Sequence, residues 1–375
     1  MRCPNFETLR DRQTMKWTAY DPDVLPLWIA ESDFATNPRI TASLHEAIDK
    51  ERFGYPPAGN EVGEALSQFC AKRYGWTISA DQIHLATDVI QAIIATLRYI
   101  IPDGPVVIPT PSYPPFFFAC QSAHREVVTI DGLGLDAVED AFRTHHPAAF
   151  ILCSPHNPLG IVHAEEYLRQ LAELTARYNV RIISDEIHAP LVYPDHQHHP
   201  TASVSDVAAE RTITFMSTSK GWNVAGLRCA QVILTNEKDA DTWGSLNPSA
   251  VPPPSILGNA TAIACYTDTS SFLDDEIAYL VENRDFLLAH LPEVLPGIRM
   301  SNPDATYLMW LDFSQCETEE LCTDSQKLLL QKARVGLNGC GGFGAAHTGF
   351  ARLNFGCERS TLEEMMDRIG NTFLK

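Results

Sequence analysis

The chain has 375 residues, 45% hydrophobic and 20% charged, close to the averages of globular proteins, so disorder, collagen-like repeats and low-complexity architectures are excluded. Lysine and arginine number 28 against 47 acidic residues, and the resulting net charge of −19 repels phosphate backbones and anionic lipid surfaces. Nucleic-acid and membrane partners are therefore not expected, and the length suits roughly two or three domains.

The N-terminal Met1 to Trp17 scatters its charges and has no apolar stretch that would serve as an export signal. The first 45 residues read as irregular and proline-containing, and are expected to pack with the C-terminal part of the chain. A helical pattern from Val89 to about Ile101 is interrupted by Gln91 and Arg98 and is too short for the roughly 20 residues of a membrane span. β-Branched runs follow at Val106 to Thr110, Glu126 to Ile130, Ala148 to Ser154, Val180 to Ser184, Thr212 to Met216 and Cys229 to Thr235. Helical patterns separate several of them; the clearest, Ala164 to Tyr178, places Leu168, Leu171, Ala172 and Thr175 on one face. Strands alternating with helices predict an α/β fold, a mostly parallel central sheet between helices. From about Phe272 a long helix leads to a strand at Thr306 to Phe313, a helix near Glu319 to Ala333, a strand at Phe350 to Phe355 and a last helix from Thr361. The expected division is a large domain over 46–271, and a smaller α+β domain made of 1–45 with 272–375. Ten cysteines from Cys3 to Cys357 form no CxxC pair, which suits reduced thiols and a cytoplasmic location.

In open α/β sheets ligands bind beyond the carboxyl ends of the strands, so polar residues directly after strand patterns are the place to look. Four such edges stand out: Pro111 to Pro115, Ser154 to Gly160, Ser184 to His188, and Ser217 to Lys220 followed by Gly226-Leu227-Arg228. Together they supply what an aromatic cofactor with a phosphate tail and a reactive aldehyde requires. Lys220 is placed to form a Schiff base. Asp185 is suited to pair with a pyridinium nitrogen, Asn157 and His188 to donate to a ring oxygen, and Tyr113 to stack on the ring. Ser217, Ser219 and Arg228 suit the phosphate, as do the first backbone N–H groups of the helix after Thr87-Asp88, those of Val89 and Ile90.

The combination resembles the fold-type I pyridoxal-phosphate enzymes of the class I and II aminotransferase superfamily: Asn-Pro-x-Gly at 157–160, Asp-x-x-His at 185–188, Ser-x-Ser-Lys at 217–220, then Arg228 and Arg352. The intervals, 28 residues from Asn157 to Asp185 and 35 from Asp185 to Lys220, are close to the superfamily pattern. Leu27 to Phe34, Phe53-Gly54-Tyr55-Pro56, Tyr113 to Phe116, Asp185 to His188 and Phe350 to Asn354 are similar to its cystathionine β-lyase (carbon-sulfur lyase) branch, which includes the maltose-regulon modulator. The resemblance runs from about residue 5 to 370. It implies a cofactor, pyridoxal 5'-phosphate, and a β-elimination that releases a thiol, pyruvate and ammonia from cystathionine or a related S-substituted cysteine. It further implies that Arg352 binds the substrate α-carboxylate, that Tyr55 reaches into the neighbouring subunit's site, and hence that the protein is a homodimer. Two positions depart from the pattern: Asp88 stands where the branch usually has glycine, and His188 where the superfamily commonly has tyrosine. An aminotransferase would use the same residues, and a regulatory binding protein is a third reading.

Three further features read as structural. Gly339 to Gly344 has the letters G-x-G-x-x-G but lacks the following apolar helix and acidic residue, so it reads as a loop. The tract His196, His198 and His199 reads as a solvated turn, with no metal assigned. Cys153, Cys229 and Cys357 lie in or beside apolar strands and read as buried, inert thiols.

Overall fold

The computed structural model describes residues 1–344 and 349–374. They form two compact units, one of residues 36–156 and 162–270, the other of residues 1–35, 157–161 and 271 onward. Among the described residues no helix is long and apolar enough to cross a membrane.

Leu25–Pro26 is the first strand (β1) of the chain. The larger unit contributes Ile83–Ala86 (β2), Val106–Thr110 (β3), Val127–Asp131 (β4), Ala149–Cys153 (β5), Arg181–Asp185 (β6), Thr212–Ser217 (β7) and Ala230–Leu234 (β8). They form one sheet in the order β2-β8-β7-β6-β5-β3-β4. The run from β7 to β4 is parallel, while β8 is antiparallel to both of its neighbours. The apolar strands alternate between two cores, as a two-residue period requires. Ile108, Ile151 and Ile183 join the core under the helices Val89–Tyr99 and Pro115–Ser122, whereas Val107, Phe150, Leu152 and Ile182 join the one under Leu135–His145 and Glu165–Tyr178. The expected mostly parallel sheet between helices is thus what forms, and the six strands read from the sequence appear within a residue or two of their places. Only β2 was not marked, because four residues of mixed character, IHLA, give little pattern.

The smaller unit holds Arg299–Met300 (β9), Leu308–Asp312 (β10), Val335–Gly336 (β11), Asn338–Gly339 (β12) and Phe350–Asn354 (β13). Four of these make an antiparallel sheet in the order β12-β13-β10-β9, and β1 pairs with β11 in parallel.

The N-terminal segment is more regular than its composition suggests, with helices at Phe6–Asp11 and Met15–Thr18. A third helix, Pro38–Asp49, belongs to the larger unit, so the boundary read after residue 45 falls inside it. Asn37 starts that helix by accepting the Arg39 N–H (2.8 Å) and also donates to Asp268 (2.6 Å). Ile40 and Ala47 are buried on it, and Ser43 bonds the Ala260 carbonyl of the neighbouring helix at 3.2 Å. The short run 157–161 groups with the smaller unit although it follows β5. Gly160 allows this, because its φ is 74° and a Cβ there would meet Pro303 at 2.5 Å.

Residues 28–33 are tied down by a buried ion pair. Lys16 Nζ lies 2.8 Å from Asp33 Oδ2 with the two side chains 0% and 4% exposed. Lys16 also donates to the Glu31 carbonyl (3.0 Å), and Trp17 Nε1 donates to Asp33 (3.0 Å). Removing one partner strands a dry charge, so Lys16→Ala is expected to lower stability by about 3–5 kcal/mol. An unchanged urea midpoint would show that water reaches Asp33.

Candidate functional site

The pairing register of the larger sheet places most of the predicted residues on one edge. Parallel strands point their carboxyl ends the same way, and Cys153 of β5 is level with Asp185 of β6, which is followed by Phe215 of β7. Ser217 at the end of β7 faces Ala230 at the start of β8, and Ala230 faces Ala86 at the end of β2. The segments after residues 86, 110, 185 and 217, and the one before 230, therefore leave the sheet on the same side.

Asp185 ends β6 with 2% exposure and accepts the Ile187 N–H at 3.1 Å. Burial pushes its carboxyl from the ordinary 3.8 up to about 7, opposed by that N–H and by the positive charge of Lys220. Lys220 is half-buried on the turn directly after β7, and its positive charge favours the ionised form of Asp185. His188, 2% exposed, lies at the start of a short 3-10 turn, Ala189–Leu191.

Ser217 and Ser219 share a hydrogen bond at 2.8 Å, and Ser217 also donates to the Cys229 carbonyl (2.7 Å) beside Arg228. Arg228 Nη1 stands 3.5 Å from Asp88 Oδ2. Asp88 caps the helix Val89–Tyr99 by accepting the Gln91 N–H at 2.9 Å, so its carboxylate is turned to the helix end and to a guanidinium. Ser217, Ser219, Arg228 and the N-terminal residues Val89 and Ile90 thus gather along this edge. Tyr113 packs on the core shared by Val89 and Phe116, its ring 5.5 Å from that of Phe116. Tyr55, on the 52–60 loop, is 98% exposed and takes no part in this cluster within one chain.

Arg352 and Asn157 meet in the smaller unit. Arg352 sits in the middle of β13, 2% exposed, and donates from Nη1 to Asn157 Oδ1 and from Nη2 to the Trp28 carbonyl, both at 3.0 Å. Asn354, two residues on, holds the same N-terminal stretch through the Ile29 and Glu31 carbonyls at 2.5 and 2.8 Å.

One group went unread in the sequence. Glu186 is 0% exposed and accepts from Ser184 Oγ (2.9 Å), the Thr201 N–H (2.8 Å) and His198 Nε2 (2.8 Å). The reading of the histidine tract as solvated therefore fails for His198, which is 3% exposed, and holds for His196. The only signal was the Asp-Glu pair at a strand end: residues 184 and 186 share a side that excludes water, so Glu186 needs a cationic or donor partner from elsewhere in the chain. The expected burial of the thiols is seen at Cys153, Cys229 and Cys357, and it pushes the Cys229 thiol up to about 12.

Residues 22–369 match the family of class I and II aminotransferases, and the chain belongs to it. Among relatives, it is 41% identical to the cystathionine beta-lyase of Corynebacterium glutamicum, over 99% of this chain and 100% of that protein. Its structure superposes on a Corynebacterium diphtheriae protein assigned as a PLP-dependent beta-cystathionase with a TM-score of 0.96 and 42% identity, covering 100% of this chain and 99% of the other. The PLP-bound C-S lyase of Staphylococcus hominis gives 0.89 and 27%, covering 99% of both chains.

A carboxyl with a raised native pKa holds its proton more tightly folded than unfolded, so the cofactor-free fold loses stability as pH rises from 3.8 toward about 7. The full cost above that range is on the order of 4 kcal/mol. Asp185→Asn removes it. Without cofactor, the melting temperature of this variant is expected to exceed that of the wild type at about pH 8 and to approach it at about pH 5. A gap that does not change with pH would mean that Asp185 is hydrated.

Proposed function

We propose that the protein is a pyridoxal-phosphate-dependent carbon-sulfur β-lyase that cleaves cystathionine or a similar S-substituted cysteine. With cystathionine and one water the products are homocysteine, pyruvate and ammonia, a step of methionine biosynthesis. The observation that carries this reading is the end-to-end likeness, at 41% identity, to the Corynebacterium glutamicum cystathionine beta-lyase.

The residues fit the cofactor. A buried carboxylate that burial alone would leave protonated is what a cationic ring nitrogen compensates, and Asp185 is such a group. When bound, pyridoxal phosphate supplies an aldehyde that condenses with amines and a ring that accepts the electron pair left by the departing α-proton. Asp185 would keep the proton on the ring nitrogen. Lys220 would carry the cofactor and, once displaced by the substrate amine, its Nζ would remove the α-proton as general base. Asn157 and His188 would address the ring oxygen, and Tyr113 the ring face. Ser217, Ser219, Arg228 and the N–H groups of Val89 and Ile90 would hold the phosphate, with the positive end of the helix dipole behind them. The capping role of Asp88 keeps its charge engaged with a backbone N–H and Arg228. Arg352, buried and already held by two acceptors, would present its fork to the substrate α-carboxylate.

The homodimer belongs to the same proposal. Tyr55 and Phe53, 98% and 64% exposed on one loop, are aromatic surface of the kind that a second subunit covers. The ten free cysteines support a reducing, cytoplasmic working place.

Purified protein supplied with pyridoxal phosphate and L-cystathionine is expected to release pyruvate without any keto acid. Lys220→Ala should reduce that rate by roughly three orders of magnitude or more, the scale of a lost general base. Turnover that requires an added keto acid would identify a transaminase instead.

A further inference from the structure

The glycine-rich run at 339–344 has the letters of a dinucleotide motif without its setting, and the fold uses it for something else. Asn338 and Gly339 form β12 opposite Arg352 and Ala351 of β13, and Cys340–Gly342 then make a single 3-10 turn. The Phe343 N–H closes this turn on the Cys340 carbonyl at 2.9 Å, and Gly344 leaves it with a φ of 74°. This turn carries the next side chain inward. Phe343 is 0% exposed.

Its ring is clamped between two neighbours on the sheet. Trp310, the cross-strand partner of Arg352, lies 5.1 Å away between centroids and is itself stacked on Phe350 at 5.8 Å and 15°. The guanidinium carbon of Arg352 stands 5.2 Å from the centroid of Phe343. Leu159 packs against the same group, which excludes water from that side.

A guanidinium has edges that donate and faces that do not. On Arg352 two edge nitrogens are engaged by Asn157 and the Trp28 carbonyl, and the guanidinium carbon lies over the negative face of an aromatic ring. Edge contacts alone leave the plane free to tilt about them; contact with a ring fixes the tilt. Out of water such a contact is worth several times its value at an exposed site. A bidentate grip on a carboxylate requires a fork held at one angle, so the ring beneath it governs how well that grip forms.

We infer that Phe343 is a positioning residue for Arg352, setting through its ring electrons the affinity of the site for the substrate α-carboxylate. The inference rests on the reading of Arg352 given above. Of the glycines around Phe343, Gly344 has a φ of 74°, a conformation that favours glycine directly after the ring.

The test uses holoenzyme with L-cystathionine and has two arms. In one, mono-, di- and trifluorinated phenylalanines replace Phe343; they keep its shape and drain the ring face of charge in steps. KM is expected to rise stepwise by about tenfold across the series. The value of kcat, the visible cofactor band, the affinity for pyridoxal phosphate and the melting temperature should stay within about twofold, or a few degrees, of the wild type. Phe343→Leu should raise KM similarly if it folds, but the fluorinated series decides the matter, since a purely structural role does not respond to ring charge. In the other arm Arg352→Lys is expected to raise KM strongly. A KM that ignores fluorination while Arg352→Lys raises it overturns the role of Phe343 and leaves Arg352 in place. A KM indifferent to Arg352→Lys removes the carboxylate reading and the inference with it. A fall in kcat along the series with KM constant also overturns it.

Discussion

A carboxylate kept dry at the end of β6 is the constraint on which the larger unit depends. Placing Asp185 at 2% exposure costs free energy that one backbone N–H and the charge of Lys220 offset only in part. The surrounding structure is consistent with that cost being held in place for a purpose. The strands on either side, β5 and β7, are buried along their whole length, so water does not reach Asp185 through the sheet. The next residue, Glu186, is buried as well, yet it is satisfied by three donors drawn from Ser184, His198 and Thr201. Two adjacent acidic residues thus have opposite fates. Glu186 is satisfied by hydrogen bonds from the protein, whereas Asp185 is left for a cation that the protein does not itself fully supply, which a pyridinium would be.

The smaller unit makes the complementary choice with a positive charge. Arg352 is buried in the centre of a strand, where a lone guanidinium would be costly, and the fold surrounds it with an amide oxygen, a backbone carbonyl and an aromatic face. The N-terminal stretch that provides the carbonyl is held in turn by Asn354 and by the buried pair of Lys16 and Asp33. Stability is thereby invested in the orientation of one fork of donors, the same economy that pins Asp185 in the larger unit.

Much of this was legible in the chain. The parallel strands β3, β5, β6 and β7 announced themselves as β-branched and apolar runs because they are buried, and the residues after them stood out because polar side chains at such ends have little structural reason to cluster. Asn157, Asp185, Lys220 and Arg228 were read from their places after strands and their company, and Arg352 from the family resemblance. The helix Pro38–Asp49 was hidden by its proline, which at a first turn begins a helix and does not break one. The histidine tract misled for a related reason: composition reports an average, and His196 is solvated while His198, two residues away, is buried against Glu186.

The sequence by itself determined the kind of chemistry available and the class of fold, since both follow from local pattern: strand periodicity, and reactive residue types at the ends of strands. Only the tertiary structure decided which distant groups touch. Asp88 lies at the helix end beside Arg228, 140 residues away, and Asn157 holds Arg352 from 195 residues away, as strand register and loop packing dictate. The place of Phe343 beneath Arg352 has the same origin, because the 3-10 turn after β12 aims its ring and no local pattern encodes the target. Contacts of this kind depend on the summed packing of whole elements, and are therefore fixed only when the chain has folded.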